Sequence, residues 1–145
     1  MSEATADNVL GVKVGHKASF AKTVSEQDVL TFADVTGDKN PLHLDDAYAA
    51  KTRFRGRVAH GMLSAGFISA ALGTKLAPNA TVVYLSQQMR FQRPVKIGDT
   101  ITANCEVTAI QPERRFVTVK TDCVNQAGEE VVTGEALVLL DEIRE

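Results

Sequence analysis

The sequence predicts an α+β domain in which one buried helix packs against one antiparallel sheet. Two observations carry that prediction. The stretch His60-Gly61-Met62-Leu63-Ser64-Ala65-Gly66-Phe67-Ile68-Ser69-Ala70-Ala71-Leu72-Gly73 is apolar nearly all round, and no charge lies between Gly61 and Lys75. A helix of that kind is enclosed on every side. From Thr81 onwards the apolar spacing drops towards two, with turn signals between the runs, as successive strands require. A chain of 145 residues with 44% apolar and 23% charged residues has a one-domain length, so residues 1 to 145 are read as one domain with one core.

Residues 1 to 10 read as a loose polar arm. Val12 to Val24 follows as a first strand with weak alternation, and His16, alone on an edge strand, is expected to be solvated. Ser25-Glu26-Gln27-Asp28 resembles a capping box with Asp in the place usually taken by Glu. The helix it opens has Val29, Leu30, Phe32 and Ala33 on its apolar face and runs to a break at Gly37. Asp45-Asp46-Ala47-Tyr48-Ala49-Ala50 suits a short helix with acidic residues in its first turn. Lys51, Arg53, Arg55 and Arg57 make a basic loop, read either as a solvated segment or as cations meeting phosphates.

After the central helix, Val82 to Arg93 reads as a long strand and Pro94 to Asp99 as a turn. Thr100 to Ile110 alternates, with Ile101, Ala103, Cys105, Val107 and Ala109 on one face. Gln111 to Arg115 connects it to a return strand, Phe116 to Val124. Gln126-Ala127-Gly128-Glu129 turns the chain into the last strand, Val131 to Leu140. Cys105 and Cys123 share parity with apolar neighbours on paired strands, so two buried reduced thiols are expected.

Composition narrows the function. A net charge of −2 with both signs scattered leaves no basic footprint for nucleic acid or lipid. No apolar run reaches the ~18 residues of a membrane span, and the polar, acidic N-terminus is unlike a secretory signal. A cytoplasmic protein is expected. No CxxC, HExxH or histidine cluster suggests a metal, and no GxGxxG or phosphate-loop pattern suggests a nucleotide cofactor, so no cofactor is expected.

The chemistry gathers between Phe32 and His43, where Asp38, Asn40 and His43 fall within six positions. Asn40-Pro41 stops any helix arriving from the left, because the residue before proline is pushed out of the α region. Two readings are open. Asp38 and Asn40 serve as helix caps with His43 a surface residue, or Asp38 and His43 form an acid/base pair, His being the side chain that titrates nearest neutrality.

Gly37-Asp38-Lys39-Asn40-Pro41-Leu42-His43-Leu44-Asp45 resembles the signature of the MaoC-like (R)-specific enoyl-CoA hydratases. Phe32, Val35, Thr36 and Ala49 fall where that pattern wants them. Val58-Ala59-His60-Gly61-Met62-Leu63 and Phe91-Gln92-Arg93-Pro94-Val95-Lys96-Ile97-Gly98-Asp99 resemble the family too, and the similarity runs from about Val12 to Leu140. It implies a hot-dog fold, the sheet wrapped around the central helix, with Ser25 to Arg57 as an overhang inserted before that helix. It also implies a homodimer acting on an acyl-CoA thioester, adding water to a trans-2-enoyl-CoA to give the (R)-3-hydroxyacyl-CoA.

By the same resemblance Asp38 is the base towards water and His43 its partner and proton donor, with the exchange of roles open. The backbone N–H of Gly61 would hold the developing enolate oxygen, and Asn40 would orient the loop or the water. Ser69, Leu72 and Leu137 would line the end of a short acyl pocket, or else simply pack the core. His60 is expected to shape the helix start. Two rivals stay open: a hot-dog acyl-CoA thioesterase and a non-catalytic acyl-CoA-binding module. Thioesterases, like the related carrier-protein dehydratases, place a catalytic acid on the central helix, and this helix has none. A pure binder needs neither Asp38 nor His43.

Overall fold

The structure, a computed structural model, describes residues 7 to 144. Five strands, β1 (Lys17–Thr23), β2 (Thr81–Phe91), β3 (Thr100–Gln111), β4 (Phe116–Val124) and β5 (Glu130–Asp141), form one antiparallel sheet in the order β1-β3-β4-β5-β2. The helix α4 (Gly61–Ala71) lies on β1, β3 and β4, and continues into one turn of wider π winding, Leu72–Leu76. Ile68, Ala71, Leu72 and Leu76 from this helical stretch meet Ile101, Val107, Val117, Val119, Val138 and Leu140 from the sheet, all at most 1% exposed. At ~25 cal/mol per Å² of apolar surface removed from water, this seam is the main stabilising term.

Three short helices precede α4: α1 (Glu26–Thr36), α2 (Pro41–Leu44) and α3 (Asp46–Ala49). The capping box that opens α1 is closed in both directions, Ser25 Oγ accepting from the Asp28 N–H and Asp28 Oδ2 from the Ser25 N–H. Lys22 Nζ, 2.8 Å from Asp28, holds that carboxyl below the ordinary carboxylate range. Gly37 ends α1 at φ 81°, a left-handed conformation that glycine adopts without steric penalty. Val29 and Ala33 are buried as that face requires, Phe32 is half-buried, and Leu30 stays exposed.

Several expectations need correction. Val9 and Val12 pair in an isolated bridge and are buried, so the end of the expected polar arm belongs to the core, while residues 1 to 6 lie outside the described residues. The first strand is shorter than Val12 to Val24, because the chain turns at Lys13 to Gly15 before pairing. His16 is exposed as expected, and its Nε2–H also donates to the Leu76 carbonyl at 2.8 Å, where the π turn leaves an oxygen free. A bulge between Val107 and Ala109 flips the alternation of β3, exposing Ala109. Cys105 and Cys123 are both buried on the inner face of β3 and β4, where burial pushes each thiol up to about 12. Among the described residues no helix is long and apolar enough to cross a membrane.

Candidate active site

Asp38, Asn40 and His43 reach the site from one short path. Past the Gly37 turn, the Asp38 N–H donates to Thr36 Oγ1 at 3.1 Å, and Asp38 Oδ1 accepts from the Asn40 N–H at 3.3 Å. Asn40 caps α2, its Oδ1 accepting from the Leu42 N–H at 3.0 Å, and Pro41 takes the first helical position, where its missing N–H matters least. Asn40 is thus engaged in holding the loop. His43 sits inside α2, is 9% exposed, and is no surface residue.

The hydrogen bonds decide which ring nitrogens carry protons. His43 Nδ1 lies 2.7 Å from the Val58 carbonyl, an acceptor only, so Nδ1 is the donor and the neutral ring presents a lone pair at Nε2. His60 Nε2 lies 2.9 Å from the Asp38 carbonyl and is likewise the donor. His60 Nδ1 is buried without a hydrogen-bond partner among the described residues. The His60 ring is packed between Phe32 and His43, with centroids 4.7 Å and 3.9 Å away. Asp38, His43 and His60 each bring one atom able to ligate or accept, all within 4.8 Å of one another. Such a cluster suits a bridging water, and its two imidazoles and carboxylate are also the donor set of a small cation site. No spacing in the sequence marks this histidine pair: His60 joins the site only because the loop from 51 to 57 folds back to pair Val58 with Lys96.

Arg57 secures that return. Its Nε–H donates to the His43 carbonyl at 2.8 Å, its Nη1 is 2.6 Å from Glu26 and 3.8 Å from Asp46, and only 9% of the side chain is exposed. One cation of the basic loop is therefore consumed internally. Lys51, Arg53 and Arg55 remain exposed.

Gly61 opens α4 directly behind His60. Its N–H and that of Met62 have no carbonyl one turn behind them, and they lie at the positive end of the helix. The missing side chain has a specific occupant: a Cβ on Gly61 would lie 2.8 Å from Cε1 of Phe91, so the aromatic edge takes the place that a side chain would need. Phe91 opens the family-like stretch Phe91 to Asp99, but nothing in the alternation of β2 gives it a place at Gly61.

Two clefts meet here. Asp38 lines one of about 640 Å³ with Phe32, Met62, Ala65, Tyr84 and Met89. His43 and Gly61 line another of about 560 Å³ with Arg53, Phe54, Phe91 and Arg93. Met62 belongs to both walls. In the first, the Tyr84 hydroxyl donates to Gln87 Oε1, and burial raises that phenol to about 12. Ser69, Leu72 and Leu137 line neither cleft. Ser69 is exposed on α4, and Leu72, 1% exposed, turns into the core where α winding gives way to π. Leu137 alternates with buried Ala136 and Val138 and so faces away from the helix. The proposed end of an acyl pocket does not assemble from these three in the single chain.

Comparison with known proteins gives a consistent result. The MaoC like domain matches residues 8–128. An (R)-specific enoyl-CoA hydratase of Rhodospirillum rubrum is 50% identical over 129 residues, covering 89% of this chain and 88% of that protein. Among solved structures, the (R)-hydratase from Aeromonas caviae involved in PHA biosynthesis superposes with a TM-score of 0.85 at 42% identity, covering 90% of this chain and 98% of the other. An unliganded R-hydratase from Pseudomonas aeruginosa gives 0.84 at 46% identity, covering 91% and 84%. The sheet wrapped on one helix is therefore the hot-dog fold of these hydratases, and the chain belongs to the MaoC-like domain family.

Proposed function

We propose that this chain is an (R)-specific enoyl-CoA hydratase, a hydro-lyase that adds water reversibly and syn to trans-2-enoyl-CoA. The observation that carries the reading is the convergence of Asp38 and His43 within 4.8 Å near the start of α4. A carboxylate and a neutral imidazole with its lone pair at Nε2 are two acceptors, and one water has two O–H groups to give them. Held so, its oxygen lone pairs are free to meet C3 of the enoyl group.

Attack passes one water proton to the pair as the C3–O bond forms. The electrons of the C2–C3 double bond move through the carbonyl onto the thioester oxygen, and return as a proton from the pair adds to C2 on the same face. The tautomer refines the expected division of labour. Because His43 Nδ1 donates to Val58, a neutral His43 accepts from water, and becomes a donor to C2 only after taking a proton. Asp38 holds the second hydrogen and balances the imidazolium charge. Proton transfer of this kind contributes about 10²–10⁴-fold. The free N–H of Gly61 at the start of α4 stabilises the enolate oxygen, by several kcal/mol in comparable sites.

A second copy of the chain would cover the unpaired edge of β2, where Val83, Tyr84 and Leu85 are exposed. Light scattering that returned the monomer mass would remove this homodimer.

The test uses crotonyl-CoA. Protein should bleach the enoyl-thioester absorbance, with (R)-3-hydroxybutyryl-CoA as product and no thiol released. Asp38→Asn and His43→Gln should each lower turnover by about 10²–10⁴-fold while leaving the fold intact. Thiol release in place of hydration would make the chain a thioesterase, and full activity in either variant would remove the pair from the mechanism.

A further inference from the structure

We propose that the cleft beside His43 receives the phosphorylated end of the thioester carrier, with Arg53 as its phosphate-binding cation. The acyl chain then takes the cleft beside Asp38. The assignment rests on the hydratase reading for the reacting centre and on the different chemistry of the two clefts for its direction.

The pair lies where the clefts meet, so a thioester with its C3 at the water must extend one arm into each. The Asp38 side is walled largely by Phe32, Met62, Ala65, Gly66, Leu85 and Met89 and has no cation in its lining, which suits a hydrocarbon. The His43 side has Phe54, Phe91, Pro94 and Val95 as walls and Arg53 and Arg93 among its lining residues. A coenzyme A thioester has the matching order: a slender arm next to the sulfur, then phosphates. Arginine meets phosphate in two-pronged fashion and stays charged at any working pH.

The cations near this cleft are not equivalent. Arg57 is spent on Glu26, Asp46 and the His43 carbonyl. Arg93 donates to the Glu130 carbonyl at 2.9 Å and lies 3.8 Å from Glu129, so its charge is partly offset. Arg53 has no ion-pair or hydrogen-bond partner among the described residues, and of the exposed cations in its loop it alone lines the cleft. The loop that carries it is held in place. Thr52 Oγ1–H donates to the Ala49 carbonyl at 2.7 Å, the Phe54 N–H to Thr52 Oγ1 at 3.2 Å, and Lys96 Nζ to the Phe54 carbonyl at 3.2 Å. An unpaired guanidinium on a pinned loop beside the reacting centre is a site in waiting for an anion.

The experiment compares two substrates with the same acyl group, crotonyl-CoA and the phosphate-free N-acetylcysteamine thioester. In Arg53→Glu the ratio of kcat/KM for the CoA ester to that for the truncated ester should fall about tenfold, the equivalent of about 1.4 kcal/mol. Arg55→Glu, an exposed change of the same charge outside the cleft, should leave the ratio near the parent value. Calorimetric titration of free coenzyme A should show binding weakened to the same extent in Arg53→Glu. An unchanged ratio with unchanged coenzyme A binding overturns the subsite. So does an equal loss in Arg55→Glu, which would mean that general charge and not position matters. If neither thioester is hydrated by the parent chain while Arg53→Glu still weakens coenzyme A binding, the hydratase reading falls and the phosphate site stands.

Discussion

Replacing Gly61 by Ala puts a methyl group where Phe91 already sits. Its Cβ would lie 2.8 Å from Cε1 and 2.9 Å from Cδ1 of that ring, against an ordinary contact that begins at 3.4 Å. The ring must therefore retreat by 0.6 Å (3.4 − 2.8). Phe91 is 53% exposed, so it has room to move, and the fold should tolerate the change. Gly61 does not occupy the left-handed region, so alanine also gains about 0.4–1 kcal/mol by stiffening the unfolded chain. The two effects nearly cancel, and the melting temperature should stay within about 4 °C of the parent. Activity should not be spared. The displaced ring is a wall of the cleft that His43 and the helix N–H groups share, and a misplacement of about 1 Å at such a site costs up to ~10²-fold. Loss of the enoyl absorbance should show kcat/KM down about 10–100-fold. Repeating the change in a Phe91→Leu background, where the obstructing ring is gone, should shrink the penalty several-fold. Equal penalties in both backgrounds, or an unfolded Gly61→Ala, would refute the account.

His60→Phe keeps a ring between Phe32 and His43 but loses the donor to the Asp38 carbonyl; kcat should fall about tenfold with KM little changed, whereas loss of melting temperature alone would make His60 merely structural. Leu72→Ala should cost about 2–5 kcal/mol in denaturant titrations because it hollows the core, and a stability loss under ~1 kcal/mol with wider chain-length acceptance would restore Leu72 to the acyl pocket. Cys105 and Cys123 should resist alkylation in the folded chain and react in full once it is unfolded. Each thiol is raised from its ordinary 9.0 to about 12, so the folded chain retains protons that the unfolded chain loses. Stability contributed by their burial is present below about pH 9 and should fade as pH rises towards about 12; flat stability over that range would contradict it.

Much of this was legible in the chain because local rules and global packing agree. The charge-free run after His60 specified the helix that packs on the sheet, but not its enclosure: Ser64, Phe67, Ile68 and Ala71 are buried while Met62, Gly66 and Ser69 stay exposed in the single chain. Ser25 with Asp28 specified where α1 begins. Asp38 and His43 were visible because six consecutive residues, broken by Asn40-Pro41, concentrate them. What stayed hidden depends on contacts between distant segments. His43 and His60 stack because Val58 pairs with Lys96, and no periodicity encodes that. Ala109 was misplaced because a bulge adds one residue to a period of two. Ser69 and Leu72 came from the family resemblance alone, and in the single chain one is exposed and the other lies in the core.

Arg57 has a consequence for how such loops travel between proteins. The guanidinium ties the start of one helix, the start of another and the carbonyl of His43 into a single knot, so the reactive segment is not a self-contained cassette. A graft of residues 37 to 45 alone would arrive without its fastening, because Arg57 and its partners Glu26 and Asp46 all lie outside that segment. Transplantation succeeds only when donor and fastening move together.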